Sequence, residues 1–583
     1  MRRERTEVVI VGAGPNGITA AHYMGLYGID CVVLELAEEI LPYPRAVGMD
    51  DEALRVLQTV GVADLAHRDM ISNVPLRYYN ARGVCFAEVK PSTAQYGWPM
   101  RNIFMQQLLE RTLRDELAGR EHVDVRLGHE MLALEQDDDG VTLQVKDRQG
   151  EVYALQARYV IAADGGRSAV RKQLGIELVG LTHPRKWVVV DATNDSLDAP
   201  YTALHADPQR PFVCIYLPYR QRRWEFMLME HEDEAKMCEE ANIRRLIRGH
   251  IGEAVDQLEI VRIRAYTHNS RVAERFVEGR VALIGDAAHI SPPWAGQGLN
   301  SGLRDVANLC WKIAAVLKGR ARPALLQTYD TERRGHALDL ISLADNMGAV
   351  LGLTNPLMAG VRDWMFQAVN TVDSLRSHLL EFKFKPKATI SKGFVHHERP
   401  DLREGDLEGQ LFIQPFVEDG QGGRQRLDEV LGPWFAVIGY RVNPAAGLSA
   451  QTRAFWDGLE TRFIQVNRSR SGPGRHQPLV AEGAISVEDV DNQLGDWFAS
   501  ARDSIVVVRP DRFIAAITTP SAWTKCWASW RGNWRESGCR VGGRPVAGPG
   551  PRDASGARLR RGADAGRRVA GAAPGTGPAP GGR

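Results

Sequence analysis

The chain opens on a short strand-like run, Glu7–Val11, which breaks at Gly12 and gives way to Ile18, Ala21 and Met24 at near-helical spacing. A second β-branched run follows over Cys31–Glu35. This pattern predicts a strand, a glycine turn, a helix from about Pro15 to Tyr27, and a second strand. Farther on, VTLQVKD (141–147) alternates apolar and polar positions, and YALQARYVIAAD (153–164) ends in a continuous apolar run. Together they predict a hairpin that feeds a buried strand. Residues 186–230 hold three strand-like runs, WVVVDAT, FVCIYLP and RRWEFMLM, separated by turn residues. An apolar stripe of helical period covers Leu299–Leu317, and residues from about 325 to 385 read as mostly helical. A loop rich in charge and Gly runs to about 408; beyond it WFAVIGY, RFIQV, SIVVVRP and RFIAAI predict a last sheet, with a helix near 450–460.

The pattern stops after Trp530. Residues 531–583 contain 14 Gly, 6 Pro and four residues drawn from Leu, Ile, Val and Phe, too few to offset the entropy of ordering the segment. They carry 11 Arg, no Lys and 3 acids, a charge of +8, whereas the first 530 residues carry 62 bases and 69 acids, −7. The net +1 over 583 residues is therefore a sum of two unlike parts. The tail reads as disordered, and its Arg, Gly, Ala and Pro content is what an out-of-frame reading of a GC-rich gene gives. An acidic body argues against nucleic acid or an anionic membrane as partner. With 44% apolar and 25% charged residues, the composition is that of a soluble protein with a sizeable core. Seven scattered Cys without CxxC spacing indicate neither a disulfide framework nor a metal site, and no apolar run approaches a membrane span. A cytoplasmic location is expected; homo-oligomerisation is left open.

The chemistry begins at Gly12-Ala-Gly14-Pro-Asn-Gly17. Gly12 permits a tight turn, Gly14 lets a pyrophosphate approach the backbone, and Gly17 allows close helix–strand packing. The helix N-terminus offers N–H groups to phosphate, and Glu35, 21 residues after Gly14, stands where an acid accepts ribose hydroxyls. This motif predicts a dinucleotide without choosing between FAD and NAD. Two later strand ends bear on that choice: YVIAADGGRSAVR (159–171), with Asp164-Gly165, and VALIGDAAHI (281–290), with Gly285-Asp286.

The three motifs in this order and separation resemble the group A FAD-dependent aromatic hydroxylases. The resemblance implies that Asp286 hydrogen-bonds the ribityl chain of FAD and that Gly296, Gly298, Leu299 and Asn300 belong to the loop passing the flavin ring. It places Arg45 near the FAD phosphates, Gln106 on the same cofactor, and Asp164 near both FAD and the pyridine nucleotide. No second GxGxxG appears, which suits a family in which NADH or NADPH visits a surface groove. Longer segments, among them PYPRAVGMDDEALRVLQTVG, YGWPMRNIFMQQ and RAYTHNSRVAERF, resemble a branch that acts on hydroxyphenyl propionates, and the likeness spans about 5–525. The implied reaction is ortho-hydroxylation of a small aromatic acid with O2, through a flavin C4a-hydroperoxide. A hydroxylase of another phenol or polyketide is the nearest rival; no WxWxIP-like segment points to a halogenase.

The expected fold class is α/β: a Rossmann-like FAD-binding domain of the GR2 type (1–75, 100–180 and 276–345) with an inserted β-sheet substrate domain (76–99 and 181–275). A helical and loop connection (346–404) leads to a thioredoxin-like domain (405–525) that lacks CxxC. Candidate catalytic groups are His289, Tyr266 and His268. Arg222 and Arg223 are candidates for the substrate carboxylate, Arg271 for a phenol or carboxylate, and Trp294 for a wall of the pocket. The plainer alternatives are a polar strand edge for Tyr266, His268 and Arg271, a solvated turn for Arg222 and Arg223, and a structural hydrogen-bonding role for His289. Asp50 and Asp51 read as the cap of a helix over Glu52–Val60, and Met105, Trp523, Trp527 and Trp530 as packing.

Overall fold

Four β-branched residues, Val8–Val11, are buried throughout and lie inside a six-stranded sheet. They pair in parallel with Tyr159–Ala162 on one side and Cys31–Glu35 on the other. Val281–Leu283 and Val123–Leu127 extend the parallel set, and Val277–Glu278 closes one edge as an antiparallel hairpin. The inner parallel strands are covered on both faces, which is why they read as nearly continuous apolar runs, whereas Val123–Leu127 at the edge is only partly buried and carries charge. Helix Pro15–Leu26 packs against both Gly298–Leu317 and Gln106–Leu117. The computed structural model describes residues 2–381, 385–387, 389–396, 406–468, 481–501 and 505–523. The expectations set on the basic tail, on Trp527 and Trp530, and on part of the loop before 408 lie outside the described residues.

The predicted hairpin forms from Val141–Lys146 and Val152–Ala157, in a four-stranded sheet with Glu130–Gln136 and Arg3–Arg5. The run from 153 to 164 is divided at Arg158, as a hairpin feeding a buried strand requires. Its first half belongs to this sheet, and its second, Tyr159–Ala162, enters the parallel one.

A third sheet has eight strands. Leu178–Thr193 and Glu259–Ala273 pair antiparallel along most of their lengths, followed by Gln221–Met227, Phe212–Leu217 and Thr202–His205. Leu76–Tyr79 and Cys85–Val89 come from much earlier in the chain, and His289–Ile290 pairs at the opposite edge. Side chains alternate between the faces. Val188, Val190, Trp224 and Phe226 pack with Ile243 and Ile247 of helix Glu240–Ile251 on the outer face. Trp187, Val189, Asp191, Arg223, Glu225 and Met227 occupy the inner face, in register with Tyr266, Arg264 and Arg262 of the neighbouring strand.

Helices Gln327–Leu351, Pro356–Asn370 and Asp373–Leu380 fill the stretch predicted as helical. No single helix among the described residues is long and apolar enough to cross a membrane. The C-terminal sheet has seven strands, with Ala436–Tyr440 and Ile485–Asp489 both parallel to Arg462–Arg468 between them, and Ile505–Val508 antiparallel to Ala436–Tyr440.

Two buried charge networks tie this sheet to the rest. Glu332 accepts from Lys312 Nζ (2.7 Å) and from Arg509 Nη2 (2.7 Å), and Arg509 also pairs with Asp511 at 2.6 Å. Asp428 takes a bidentate contact from Arg55 (2.7 Å for both bonds) and a further bond from Arg512 (3.1 Å). Charges this deeply buried persist only when each has its partner.

Candidate active site

The turn after Val11 is shaped by contacts that leave no room for side chains. Gly12 has φ +103°, and a Cβ there would strike the Ala163 carbonyl. A Cβ at Gly17 would collide with the Gly12 carbonyl oxygen. Gly14, the N-cap of helix Pro15–Leu26, is different: nothing lies within 4 Å of where its Cβ would be. This open space before a helix N-terminus is what a pyrophosphate requires. Glu35 ends its strand with Oε2 accepting from Ala13 N–H (2.7 Å) and Oε1 from Ala37 N–H (2.8 Å), so the turn itself holds the carboxylate in place.

Asp164 and Gly165 (φ +77°) follow the adjacent strand. Asp164 Oδ2 accepts from Val170 N–H at 3.1 Å, while its Oδ1 is buried with no partner among the described residues. Burial raises this carboxyl, partly offset by Ser168. Gly285 (φ +56°) stands against Asn16, whose side chain also fills the space beside Gly302. Asn16 thus wedges the first turn against helix Gly298–Leu317, a role nothing in its sequence spacing signals. Asp286 pairs with Arg45 Nη2 at 3.3 Å, and both side chains keep substantial exposure. Gln106 Oε1 accepts from Ala46 N–H (2.8 Å) and its Nε2 donates to Glu110 (2.7 Å), so it holds the loop that carries Arg45.

The loop before helix Gly298–Leu317 is held from behind. Asn300 donates to Gly296 O (2.8 Å) and Gly48 O (3.3 Å) and accepts from Asp50 N–H (3.3 Å). Leu299 packs partly buried against the main core. Nothing lies within 4 Å of a Cβ at Gly296 or Gly298. Asp305, on the same helix, accepts from Gly285 N–H (3.1 Å), His289 Nε2 (2.7 Å) and Arg333 Nε (2.9 Å). Burial alone would raise Asp305; His289 and Arg333 outweigh it and hold the carboxyl below its usual range. This hub corrects the expectation for His289. Its ring is buried and bonded to Asp305, because the strand His289–Ile290 turns it toward the helix.

Asp50 caps helix Asp51–Thr59, accepting from Ala53 N–H at 2.9 Å, as expected. It also pairs with Arg304, while Glu52 receives Arg304 Nε (2.7 Å) and Lys385 Nζ (3.0 Å). Arg304 Nη1 in turn donates to Gln297 (3.2 Å), so the acidic run braces the same loop.

Over the inner face of the eight-stranded sheet, Trp294 of that loop stands edge-on to Trp187 (4.9 Å between centroids) and to His268 (5.9 Å). His268 stacks on Trp187 at 5.7 Å, and its Nε2 is buried with no partner among the described residues. Burial, reinforced by His183, lowers His268 to about 3, so the imidazole is neutral at ordinary pH. Tyr266 donates to Glu225 Oε2 at 2.8 Å; burial and this acid raise its phenol well above the usual range. Burial raises Glu225 as well, against the pull of Arg223.

Three expectations for substrate contacts are corrected. Arg222 and Arg223 are adjacent on one strand and therefore point to opposite faces. Arg222 is buried in an ion pair with Asp195 (2.7 Å) on the outer side. Arg223 faces inward, but Asp191 (2.8 Å) and the carbonyls of Pro44 and Arg45 consume its donors, so it positions the Arg45 loop. Arg271 is one residue out of step with Tyr266 and His268, and donates to Thr182 at 2.7 Å. The acids that satisfy the two strand arginines, Asp191 and Asp195, are about thirty residues away in sequence, beyond the reach of a local pattern.

These glycine turns, the open spaces beside Gly14, Gly296 and Gly298, and the partly exposed Arg45–Asp286 pair suit an extended flavin dinucleotide. Comparison with known proteins agrees. A family model described as an FAD binding domain matches residues 5–344, and one described as the HcaD C-terminal domain matches 409–532. The chain is 55% identical over 517 residues to the 3-(3-hydroxy-phenyl)propionate/3-hydroxycinnamic acid hydroxylase 2 of Burkholderia vietnamiensis, covering 88% of this chain and 94% of the relative. It is 37% identical to the corresponding hydroxylase of Comamonas testosteroni, covering 89% and 95%. Among solved structures, the anhydrotetracycline hydroxylase of Streptomyces rimosus superposes with a TM-score of 0.69 at 25% identity, covering 91% of this chain and 99% of that one.

Proposed function

The chain belongs to the FAD-dependent aromatic hydroxylases, and from that premise we propose that it ortho-hydroxylates 3-(3-hydroxyphenyl)propionate to 3-(2,3-dihydroxyphenyl)propionate, using NADH and O2. The observation that carries this reading is the aromatic site beside the flavin loop: Trp187, Trp294 and a neutral, unpartnered His268 Nε2 over the inner sheet face. FAD, when bound, supplies electron transfer from the nicotinamide and reaction with O2. Gly12, Gly14, Gly17, Glu35, Asp164 and Gly165 would hold its dinucleotide part, with Arg45, Gln106, Gly285 and Asp286 farther along. Gly296, Gly298, Leu299 and Asn300 would line the ring, and the N-terminus of helix Gly298–Leu317 favours negative charge there.

The chain's own side chains orient the phenol. His268 Nε2 accepts the hydrogen of the substrate hydroxyl, which enriches the ring at its ortho carbon. Tyr266, locked as a neutral hydroxyl by Glu225, fixes the adjoining wall. Trp187 and Trp294 keep water from the reacting carbon. We assign residues 405–525 to a thioredoxin-like domain of structural role, since its sequence lacks CxxC.

Purified protein is expected to be yellow, and 3-(3-hydroxyphenyl)propionate is expected to accelerate NADH oxidation with one O2 consumed per NADH. Accelerated oxidation that yields only H2O2 would assign the site to a different phenol. A colourless protein that FAD cannot reconstitute would overturn the reading.

A further inference from the structure

Arg101 is a cation that no carboxylate among the described residues reaches. It immediately precedes the short strand Asn102–Ile103, which pairs with Gly48–Met49 just beyond the Arg45 loop. Its Nε donates to Val74 O (2.8 Å) and its Nη2 to Thr202 Oγ1 (3.0 Å); Nη1 has no partner among the described residues. Val74 packs with Val47 and Ile215, so Arg101 sits at the seam between the segment after Arg45 and the inner sheet face. Of the other inner-face arginines, Arg223 and Arg262 share Asp191, and Arg264 is exposed.

The surroundings select an anion. Tyr78, on the strand beside Thr202–His205, packs in one cluster with Leu204 and Trp294. Its hydroxyl makes no hydrogen bond among the described residues, and the Arg101 charge acts on it. Burial lowers Arg101 to about 10, with Tyr78 the only ionisable group pulling the other way. A half-buried cation without a counter-charge is costly, and a ligand carboxylate removes that cost.

We propose that Arg101, with the Tyr78 hydroxyl, binds the carboxylate of the aromatic acid substrate at the end of the pocket opposite Tyr266 and His268. The proposal rests on the aromatic-acid reading above and adds the residue that distinguishes the acid from an uncharged phenol. Trp294 links the two ends: its ring stands 5.9 Å from that of His268, and it packs in one cluster with Tyr78.

The test uses the FAD-loaded full chain. Binding is read from the perturbation of the flavin absorbance, for 3-(3-hydroxyphenyl)propionate and for its uncharged alcohol analogue 3-(3-hydroxypropyl)phenol. Arg101→Gln is expected to raise Kd and KM for the acid roughly 10- to 100-fold, while Kd for the alcohol moves less than about threefold. Flavin content and alcohol binding certify the fold, and Arg101→Lys, which keeps the charge, is expected to recover part of the acid affinity. Equal losses for both ligands, or unchanged acid binding, would overturn the assignment. Wild-type protein that binds neither ligand would overturn the aromatic-acid reading itself, and the Arg101 assignment with it.

Discussion

Glu332→Ala is expected to cost about 3–5 kcal/mol of stability, because it leaves Lys312 and Arg509 buried with Asp511 as their remaining acid. All three partners of the original network are almost fully excluded from solvent, so water cannot replace the missing charge. Glu332 also accepts Phe394 N–H at 2.7 Å, so the substitution strands a backbone donor too. Glu332→Gln keeps an acceptor and is expected to fall between the two. The sign of the pH effect follows from the same contacts. Burial would raise this carboxyl, but Arg509 and Lys312 hold it far below its ordinary value. A depressed acid contributes stability above its unfolded pKa and loses it as pH falls through the acid range. Urea unfolding at pH 7 and limited proteolysis between the main body and the C-terminal sheet measure the effect. A variant within about 0.5 kcal/mol of wild type would show that the network does not hold the C-terminal sheet in place.

Asp305→Ala is the second large effect. Asp305 joins the strand end at Gly285, the buried His289, and Arg333 from helix Gln327–Leu351. Its removal leaves Arg333 with the Ser301 oxygens and His336 as neutral partners and frees the Gly285 N–H. A loss of about 3–5 kcal/mol is expected, and FAD affinity is expected to fall about 10- to 100-fold because the Gly285-Asp286 turn is no longer fixed. Asp305→Asn, which keeps an acceptor, is expected to retain more flavin. Flavin per chain after gel filtration and a fluorescence titration with FAD report both numbers. Retention within twofold of wild type would contradict the positioning role.

What could be read from sequence here follows the range of the interactions. The strand–turn–helix–strand at the N-terminus was legible because its causes are local: β-branched runs, Gly12 and Gly17 in contact with their near neighbours, and Glu35 bonded to the turn it follows. The hairpin that feeds a buried strand was legible too, because alternation over 141–157 gives way to a continuous apolar run at Tyr159–Ala162, with the break between the two sheets at Arg158. The loop before helix Gly298–Leu317 was legible from its glycines, but its support was not. Asp305 acts with Arg333, Glu332 with Arg509 across 177 residues, and Asp50 with Arg304 across 254. Arg222 and Arg223 looked like a carboxylate clamp only while strand alternation and their partners Asp195 and Asp191 were out of view. Arg101 offers the converse case. A lone arginine in PMRN carries no motif, and only the fold, by bringing Thr202 to its guanidinium, shows it to be an unpaired cation beside an aromatic pocket.

The sharpest test of the central claim is the fate of isotopically labelled oxygen. Turnover of 3-(3-hydroxyphenyl)propionate with NADH under 18O2 is predicted to yield the 2,3-dihydroxy acid carrying one 18O, with none entering from H2 18O. Product lacking label from 18O2, or consumption of NADH and O2 without any hydroxylated acid, would contradict the assignment.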